Sequence, residues 1–473
     1  MSHSDSNFSF NVPNSRSFER GKFGRMFPSL PQARFKPELI NAIAQKMRRF
    51  DDENPTDDLN SIPAGYTYLG QFISHDLTYD PTSISERQID PEFLWNFRTP
   101  ALDLDSLYGS HPKVNPVYYA SDKGNFLLGK DGKDLFRKPI EDDGDPIMAV
   151  IPDPRNDENK IIAQIHLLFQ KLHNYFLKKT KKFDEAQKLT KWHYQWIVLH
   201  DYLPRILDQE TYQEIFEFSA PSNVKRKFYE WRNEPFVPVE FAAAAFRFGH
   251  STVRNTYKVV SRKNIQLQSR GVRRSKPVQS TLPLASLMNR NTSDVEVNIN
   301  IDLSLFFGPR AQRNHLIEPR ISAGLYNIPG LGNLDNEFEY RNSLPFRTIK
   351  RGEMVGLPSG EDVAKALNQR VIPVDLQRGD PKFNVPSYEA GYTPTPLWYY
   401  ILHEAKEYSD IYKKSSNTLG PVGSTIVGEV IIGLLQGDKN SYINQDPNWV
   451  SPYWGKDFDM EKLVEGPPDY DNW

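Results

Sequence analysis

The sequence has no cysteine among its 473 residues. Disulfides, thiolate metal sites, iron–sulfur clusters and cysteine nucleophiles are therefore excluded. The net charge of −2 gives no electrostatic case for binding nucleic acid or an anionic membrane surface. No window approaches the ~18 consecutive apolar residues of a membrane-spanning helix. Residues 1–27 lack the apolar segment of a signal peptide. We expect a cytoplasmic protein by default, and secretion without a recognisable signal is the alternative.

The remaining composition is that of a globular protein rich in aromatic side chains, with 38% hydrophobic, 25% charged and 12% aromatic residues. No internal repeat or low-complexity linker divides the chain. We therefore predict a mainly α-helical fold, with a single large domain over residues 26–465, long loops and few short strands. A loosely ordered N-terminal arm (1–25) and a C-terminal tail (466–473) would flank it.

Apolar residues at helical spacing predict the main helices. The pattern is clearest over residues 160–178 and over residues 419–437, where it predicts a deeply buried helix. Another helix starts at about residue 188 and should bend or end near Pro204. An alanine-rich helix, EFAAAAFRFGHSTVRNTY, is predicted after Pro238.

Two further segments have local signals. Ser359 can cap a helix that begins in GLPSGEDVAKALN. Residues 261–300 are polar and contain a basic cluster of Arg270, Arg273, Arg274 and Lys276, which is typical of a solvated loop.

Eight of the ten histidines need no special role. His166 and His173 are seven residues apart on one predicted helix, as are His193 and His200, so each pair shares a face two turns apart. Their apolar neighbours favour packing or a satisfied hydrogen bond over ligation. His75 and His250 remain as candidates.

His75 lies in GYTYLGQFISHDLTYD, residues 65–80, which we interpret as a helix. Gln71 is four residues before His75, so a helix directs both side chains the same way. Asp76 is turned by about 100° and must serve a different site. An imidazole in an apolar pocket beside an amide suits proton transfer on a small polar ligand such as peroxide. A histidine of this kind, taken alone, is more often structural.

His250 closes the segment FAAAAFRFGH, where small residues precede Arg247 and Gly249. Such a segment can approach a planar cofactor closely, with the imidazole on iron and the guanidinium on a carboxylate at the rim. By itself His250 is also more often structural.

Two loops complete the candidate set. In DPRNDEN, Arg155 and Glu158 are three residues apart at a predicted helix start, where an arginine is disfavoured and suggests another use. In TPALDLDSLYG, Thr99, Asp103 and Asp105 supply hard oxygen ligands. With Asp76 they would make a site of the calcium type, and an Asx-turn cluster is an equal alternative.

Together these segments resemble one family, the animal-type haem peroxidases of the peroxidase–cyclooxygenase superfamily, in particular their shorter bacterial members. The resemblance covers residues 20–465. It depends on the ordered segments GQFISHD, RTPALDLDSLYG, DPRNDEN with LHNYF, WHYQWIVLHDYLP, FAAAAFRFGHS, EPRISAGLYNIP, RGEMVGLPSGEDVA, TPLWYYILHEA and LGPVGSTIVGEVIIGLL. It implies a single helical domain of the myeloperoxidase-like type.

The resemblance implies that His75 is the distal histidine and Arg155 the distal arginine, which together split the O–O bond of hydrogen peroxide. Gln71 matches the distal glutamine that orders water or helps hold halide, and His250 matches the proximal ligand of the haem iron. The arginines that pair with haem propionates would be Arg247 and Arg351. The calcium ligands would be Asp76, Thr99, Asp103, Asp105 and the carbonyl of Ala101.

Three departures from the family pattern limit these expectations. Ser74 replaces the aspartate of one haem ester, so at most one ester, through Glu158, is expected for the haem b. Asn159 replaces the sulfonium-forming methionine. Thr348 stands where an asparagine usually accepts the N–H of the proximal histidine, and a different partner there would alter the iron potential.

The resemblance implies an enzyme that uses hydrogen peroxide to oxidise a small reductant (halide, thiocyanate or phenol) through a ferryl intermediate. Fatty-acid oxygenases of the superfamily use a tyrosine about three residues before the proximal histidine, but here that neighbourhood holds Phe246, Arg247 and Phe248. A haem-containing adhesion or scaffold protein is the other alternative. We expect no nucleic-acid partner and no membrane span, and the sequence leaves the oligomeric state open.

Overall fold

The computed structural model of the chain describes twelve ranges: residues 23–49, 59–80, 94–109, 111–121, 123–138, 148–216, 221–265, 274–288, 299–326, 343–374, 394–412 and 417–469. The fold is mainly helical. Its α-helices, in chain order, are α1 Pro37–Lys46, α2 Gly65–Leu77, α3 Asp105–Tyr108, α4 Lys160–Thr180, α5 Phe183–Ile197, α6 Leu203–Ile206, α7 Gln209–Phe216, α8 Val239–Ala243, α9 Gly249–Thr252, α10 Ala323–Tyr326, α11 Leu344–Met354, α12 Gly360–Ala366, α13 Leu397–Tyr412, α14 Pro421–Gly437, α15 Tyr442–Gln445 and α16 Met460–Glu465.

The strands are mostly short and form small separate sheets. They are β1 Phe23–Gly24, β2 Leu59–Pro63, β3 Arg137–Lys138, β4 Met148–Ala149, β5 Val237–Pro238, β6 Thr256–Ile265, β7 Arg274–Pro283, β8 Ile299–Asn300 and β9 Arg313–His315. β1 pairs with β5, β2 with β9 and β3 with β4, while β6 lies between β7 and β8.

Helix α4 begins where Asn159 accepts hydrogen bonds from the amides of Ile161 and Ile162, at 3.1 and 3.0 Å. This side chain replaces the partners that the first helical N–H groups lack. Phe169 of α4 stacks on Phe72 of α2, with 5.2 Å between the ring centroids. α4 also packs against α5, so it ties α2 into the core.

Helix α14 is buried along almost its whole length, as its apolar sequence predicts. Gly420 has no side chain to cap it, and the buried carboxylate of Glu404 on α13 accepts hydrogen bonds from the amides of Val422 and Gly423 instead. Burial raises the pKa of Glu404 to about 8. The hydrogen bonds of Glu404 to the start of α14 explain why this carboxylate is buried, so it needs no catalytic role.

The prediction that the helix from about residue 188 bends or ends near Pro204 is confirmed by its end at Ile206, although the helix starts earlier than expected, at Phe183. Between α5 and α6 the residues Val198–Tyr202 form a π-helical turn. Because proline lacks an N–H, the chain cannot continue the regular helical bonds through Pro204, and a wider turn precedes it.

The prediction of one continuous helix after Pro238 is wrong. Ala244, with φ −134° and ψ −75°, ends α8, and a 3₁₀ turn separates it from α9. Side chains replace the helical bonds here, because Arg247 Nε donates to the carbonyl of Ala242 and Trp398 Nε1 donates to that of Arg247, both at 3.0 Å.

The prediction of a solvated loop over residues 261–300 is also wrong in part. β6 and β7 form an antiparallel hairpin of ten residue pairs, from Thr256 opposite Pro283 to Ile265 opposite Arg274. Arg274 and Lys276 of the basic cluster lie in β7, while its residues 270 and 273 lie outside the described ranges.

The alternation of a strand is present just before that segment. Tyr257 and Val259 are fully buried and Lys258 between them is exposed, which is a period of two. The basic residues further along the segment obscured this period.

The ends of the predicted domain are tied down where the structure describes them. β1 starts at Phe23, so the last residues of the predicted arm already belong to the folded body. In the predicted tail, Asp469 accepts hydrogen bonds from Tyr175 and Lys179. Across the ranges given above, no helix combines the length and apolar character needed to cross a membrane.

Candidate functional site

Helix α2 directs His75 into a buried polar cluster. The side chain of His75 is 8% exposed, and its Nδ1 lies 2.9 Å from Oδ1 of Asn156. Burial, reinforced by the positive charge of Arg155, lowers the pKa of His75 to about 3. His75 is therefore a neutral imidazole at pH 7, with its proton on Nδ1 and the lone pair of Nε2 available.

Asn156 is fixed from its other side by His166. The Nδ2 group of Asn156 donates to Nδ1 of His166 at 3.1 Å, which leaves Oδ1 facing His75. His166 is fully buried, burial lowers its pKa to about 3, and its Nε2 has no partner in the described part of the chain. Sequence reasoning missed Asn156, and it assigned His166 to packing or a satisfied hydrogen bond, which agrees with this contact. The seven-residue histidine spacing contained no signal for either contact.

Arg155 is held beside His75 by Asp153. Asp153 accepts hydrogen bonds from Nε of Arg155 at 3.0 Å and from its Nη2 at 2.7 Å, and the same Nη2 donates to the carbonyl of His75 at 3.0 Å. The guanidinium carbon lies 4.4 Å from the centre of the Tyr79 ring. Arg98 completes the cluster through an ion pair of 2.5 Å with Asp153.

Asp153 is fully buried. Burial alone would raise the pKa of its carboxyl, but Arg155 and Arg98 hold that pKa well below its ordinary value. Asp153 is thus held between two cations, and Arg155 places its positive charge next to His75. Neither Asp153 nor Arg98 was singled out from the sequence.

Gln71 and Glu158 are in contact. Nε2 of Gln71 donates to Oε2 of Glu158 at 3.2 Å, and Nδ2 of Asn159 lies 3.4 Å from Oε1 of Gln71. The structure thus brings Gln71, His75, Arg155 and Glu158 into one group at the junction of α2 and the start of α4.

His250 lies on α9, which is anchored to α2 by a 2.6 Å contact between the hydroxyls of Thr252 and Thr67. The edge of Trp398 approaches the His250 ring, with 5.9 Å between the centroids. Burial and nearby Arg247 lower the pKa of His250 to about 3, so the imidazole is neutral. A Cβ added to Gly249 would meet nothing within 4 Å, which indicates open space beside this histidine.

The expected hydrogen bond between Thr348 and His250 is not formed. The hydroxyl of Thr348 donates to the carbonyl of Leu344 one helical turn earlier, at 2.9 Å. Nδ1 of His250 is buried and has no hydrogen-bond partner among the described residues. A threonine inside a helix finds that carbonyl within reach of its own short side chain, which explains the difference.

Arg247 and Arg351 lie close enough to repel each other. Burial and the charge of Arg351 lower the pKa of Arg247 to about 10. Arg351 forms an ion pair with Asp80, which follows α2, and Asp80 also faces Arg247. Two guanidinium groups around one carboxylate leave an excess of positive charge at this edge of the site.

These residues fit a haem group. A neutral imidazole beside open space, with an unpartnered Nδ1, is suited to ligate iron, and two adjacent arginines suit the two carboxylates of the porphyrin. The buried His75 lies on α2, the helix that is anchored to α9, and Arg155 contacts the carbonyl of His75 from the turn before α4.

The carboxylates of the predicted calcium loop converge on the C-terminal end of α2. Asp76 is fully buried and accepts hydrogen bonds from the amides of Leu104 and Ser106, at 3.1 and 3.3 Å. Burial and the charges of Asp103 and Asp105 raise the pKa of Asp76 well above its ordinary value, so the three carboxylates lie close together.

The loop is also stabilised without a cation. The hydroxyl of Thr99 donates to Asp103 at 2.9 Å, and Arg98 pairs with Asp105 at 3.5 Å. No group of three or more histidine, aspartate or glutamate side chains within the described ranges is already arranged to hold a metal ion. Ala101, whose carbonyl was the other expected ligand, lies in the same loop.

Comparison with known proteins gives the family. The Animal haem peroxidase model matches residues 82–359, which is more than half of the chain and includes Arg155, His250 and Arg351. Heme peroxidase 2 of Caenorhabditis elegans is 24% identical over 46% of this chain and 39% of its own length. Human thyroid peroxidase is 32% identical over 21% of this chain and 11% of its own length. The matched part is thus less than half of either relative.

Solved structures share the fold over most of the chain. Peroxidase A from Dictyostelium discoideum superposes with a TM-score of 0.60 and 16% identity, covering 92% of each chain. A fatty acid alpha-dioxygenase from Arabidopsis thaliana superposes with a TM-score of 0.57 and 15% identity, covering 89% of this chain and 72% of the other. The family match and the shared fold lead to one conclusion: this chain belongs to the animal haem peroxidase family.

Proposed function

We propose that the chain is a haem-dependent peroxidase that uses hydrogen peroxide to oxidise halides, thiocyanate or small organic reductants such as phenols. The observation that carries the proposal is the state of His75, a buried neutral imidazole whose Nδ1 is bonded to Asn156 and whose Nε2 is an available base beside Arg155. A base of this kind is what the first proton transfer from peroxide requires.

In this proposal His250 ligates the haem iron through Nε2, and Arg247 and Arg351 pair with the propionates. Glu158 is the residue for a single ester link to haem b. When bound, the haem supplies the iron at which the peroxide O–O bond is cleaved. Because Nδ1 of His250 has no hydrogen-bond partner among the described residues, the imidazole would gain little anionic character, which would disfavour a low iron potential.

His75 moves the proton. Its Nε2 accepts a proton from one oxygen of hydrogen peroxide and delivers it to the other oxygen, which leaves as water. Arg155 supplies positive charge near the oxygen that becomes negative, and Asp153 keeps its guanidinium in place. Gln71, held by Glu158 and Asn159, positions a water molecule or a halide beside His75.

Asn156 acts by positioning His75, and His166 acts by positioning Asn156. Asn156→Leu removes the hydrogen bonds to His75 and His166 while keeping a side chain of similar volume. We expect the rate of reaction with peroxide to fall by roughly 10–100-fold, the usual effect of losing an outer hydrogen-bond partner. His166→Asn places an amide oxygen where Nδ1 was and should stay near the wild-type rate, whereas His166→Gln places its amide at the Nε2 position and should lower the rate.

Stopped-flow measurement of peroxide reaction and of cyanide association with the holoenzyme checks this, because HCN must also lose its proton to a base near the iron. Thermal unfolding of each variant provides the stability control. Equal rates for His166→Asn and His166→Gln would show that the contact with Asn156 has no positioning role.

We also propose that Asp76, Thr99, Asp103, Asp105 and the Ala101 carbonyl bind calcium. The support is electrostatic: the buried Asp76 and Asp105 lie beside the half-buried Asp103, and such a cluster is costly unless a cation accompanies it. The unpartnered buried hydroxyl of Ser106, whose amide bonds to Asp76, offers another oxygen at the same place.

The variant Asp76→Asn tests whether these carboxylates bind calcium or only repel one another. If calcium binds, chelation with EGTA should lower the unfolding temperature of the wild type by at least about 3 °C, and the variant should be destabilised and insensitive to EGTA. Differential scanning calorimetry with and without calcium measures this. Asp457→Asn, at a 90% exposed aspartate, is the matched control. Without a cation, Asp76→Asn would relieve repulsion and leave stability equal or higher.

A fatty-acid oxygenase is the second candidate, because the fold is shared with fatty acid alpha-dioxygenases. The sequence before His250 argues against it, since Phe246, Arg247 and Phe248 leave no tyrosine there to carry a radical. A haem-containing scaffold protein would not need the hydrogen bonds that hold Asn156 and Arg155 beside His75.

Steady-state turnover of haem-loaded protein with peroxide, using iodide, bromide, thiocyanate and phenols in turn, tests the proposed function. Peroxidase turnover with at least one of them is expected. Oxygen uptake with a polyunsaturated fatty acid and no added peroxide would favour the oxygenase. Turnover with none of these reductants, and no spectral change on addition of peroxide, would leave neither enzyme assignment standing.

A further inference from the structure

A cavity of about 850 Å³ opens along the C-terminal half of α4. It is lined by α4 and by two loop segments, residues 123–128 and 131–133. Lys171 in this cavity is twelve residues beyond Asn159 of the candidate active site, or about 18 Å along the helix axis at 1.5 Å per residue. The cavity is therefore separate from the site around His75.

Five lysines line this cavity, and among the described residues Asp131 is the one acidic side chain that lines it. The lysines, which we call the lysine cluster, are Lys123, Lys133, Lys171, Lys178 and Lys181. No ion pair joins Lys133 or Lys171 to an acidic side chain in the described part of the protein. Lys171 is half-buried, and burial together with the charge of Lys133 lowers its pKa.

The helix dipole explains only part of the lysine cluster. Lys178 and Lys181 lie at the C-terminal end of α4, where cations complement the helix dipole. Lys171 is more than two turns before that end, and Lys123 and Lys133 come from other segments. The dipole does not account for the convergence of these three.

The backbone that carries the lysines is fixed. Asn174 of α4 accepts a hydrogen bond from the amide of Phe126 at 2.7 Å and donates to its carbonyl at 3.1 Å. His173 donates to the carbonyl of Gly124 at 3.1 Å, and Gln164 donates to that of Lys133 at 3.0 Å. A site with fixed walls loses little entropy when a ligand binds.

We propose that the lysine cluster binds a small molecule that carries a chain of phosphates. Lysine recognises phosphate as a point charge, and five cations facing one carboxylate match a ligand with three or more negative charges. The cavity lies at the upper end of the ~300–1,000 Å³ usual for ligand sites, so it accommodates an extended ligand rather than a single phosphate. The proposal does not depend on the peroxidase assignment.

Isothermal titration of the full chain with inorganic tripolyphosphate tests the proposal. Lys133→Gln/Lys171→Gln should weaken the affinity by roughly tenfold or more, as expected for the loss of charged hydrogen bonds. Lys225→Gln/Lys258→Gln makes the same change of charge at two exposed lysines outside the cavity and should leave the affinity within about twofold of wild type. Unfolding temperatures confirm that both double variants are folded.

Parallel titrations with ATP distinguish a site for a bare phosphate chain from a site for a nucleoside triphosphate. Equal affinities for ATP and tripolyphosphate would mean that the phosphate chain alone is recognised, and tighter binding of ATP would mean that a nucleoside is recognised as well; either result supports the site. Binding that is equally weakened in both double variants, or no heat with either compound at millimolar concentration, would overturn the proposal.

Discussion

His250→Ala is expected to yield a folded protein that lacks the nitrogen ligand we propose for the haem iron. His250 is the only histidine on α9, and Arg247 and Trp398 beside it supply no imidazole. The Soret band should shift or disappear, and haem that is not covalently attached should be lost on gel filtration. Absorption spectra and the ratio of haem to protein measure both effects.

Added imidazole should restore part of the wild-type spectrum, because the space beside Gly249 and the shortened residue 250 admits a small ring. His111→Ala, at a histidine with 41% exposure, is the control and should keep its haem. Acid extraction of the wild type and of Glu158→Gln tells whether an ester holds haem independently of the iron. An unchanged Soret band in His250→Ala would exclude this residue as the ligand.

His75→Ala is expected to have the opposite profile, with haem retained and chemistry lost. Removing the imidazole takes away the proton acceptor but leaves Arg155 held by Asp153. The second-order rate constant with hydrogen peroxide should fall by roughly 10²–10⁴, the range for a positioned acid–base group. Stopped-flow absorption at the Soret band measures it.

His173→Gln is a suitable comparison for this variant, since His173 is also buried and its hydrogen bonds in the described part of the chain go to Tyr108 and to the carbonyl of Gly124. It should react with peroxide within about threefold of the wild-type rate, because neighbouring structural bonds alone contribute little to proton transfer. A His75→Ala rate within tenfold of wild type would remove His75 from the proposed mechanism.

The sequence predicted those parts of the fold in which one local signal dominates. The apolar periodicity of α4 and α14 and the cap at Ser359 are examples, and Ser359 accepts the expected bond from the amide of Asp362 at 3.1 Å. The break at Ala244 could not be predicted, because it depends on the indole of Trp398, more than 150 residues away, bonding to the carbonyl of Arg247.

The candidate site was also predicted only in part from the sequence. Residues with a family motif, such as His75, Arg155 and Glu158, were found from the sequence, and the structure groups them. Asn156 and Asp153 lie in DPRNDEN together with Arg155 and Glu158. Their importance comes from contacts across the fold, of Asn156 with His166 and of Asp153 with Arg98. A motif marks a segment, and only the packed structure shows which side chain in it bonds to which.

The ion pair between Asp80 and Arg351 has a consequence for the rigidity of the proposed haem site. It joins the segment after α2 to α11, and so it fixes the distance between two walls of that site. A substitution at either residue should therefore act on both walls and not on one alone.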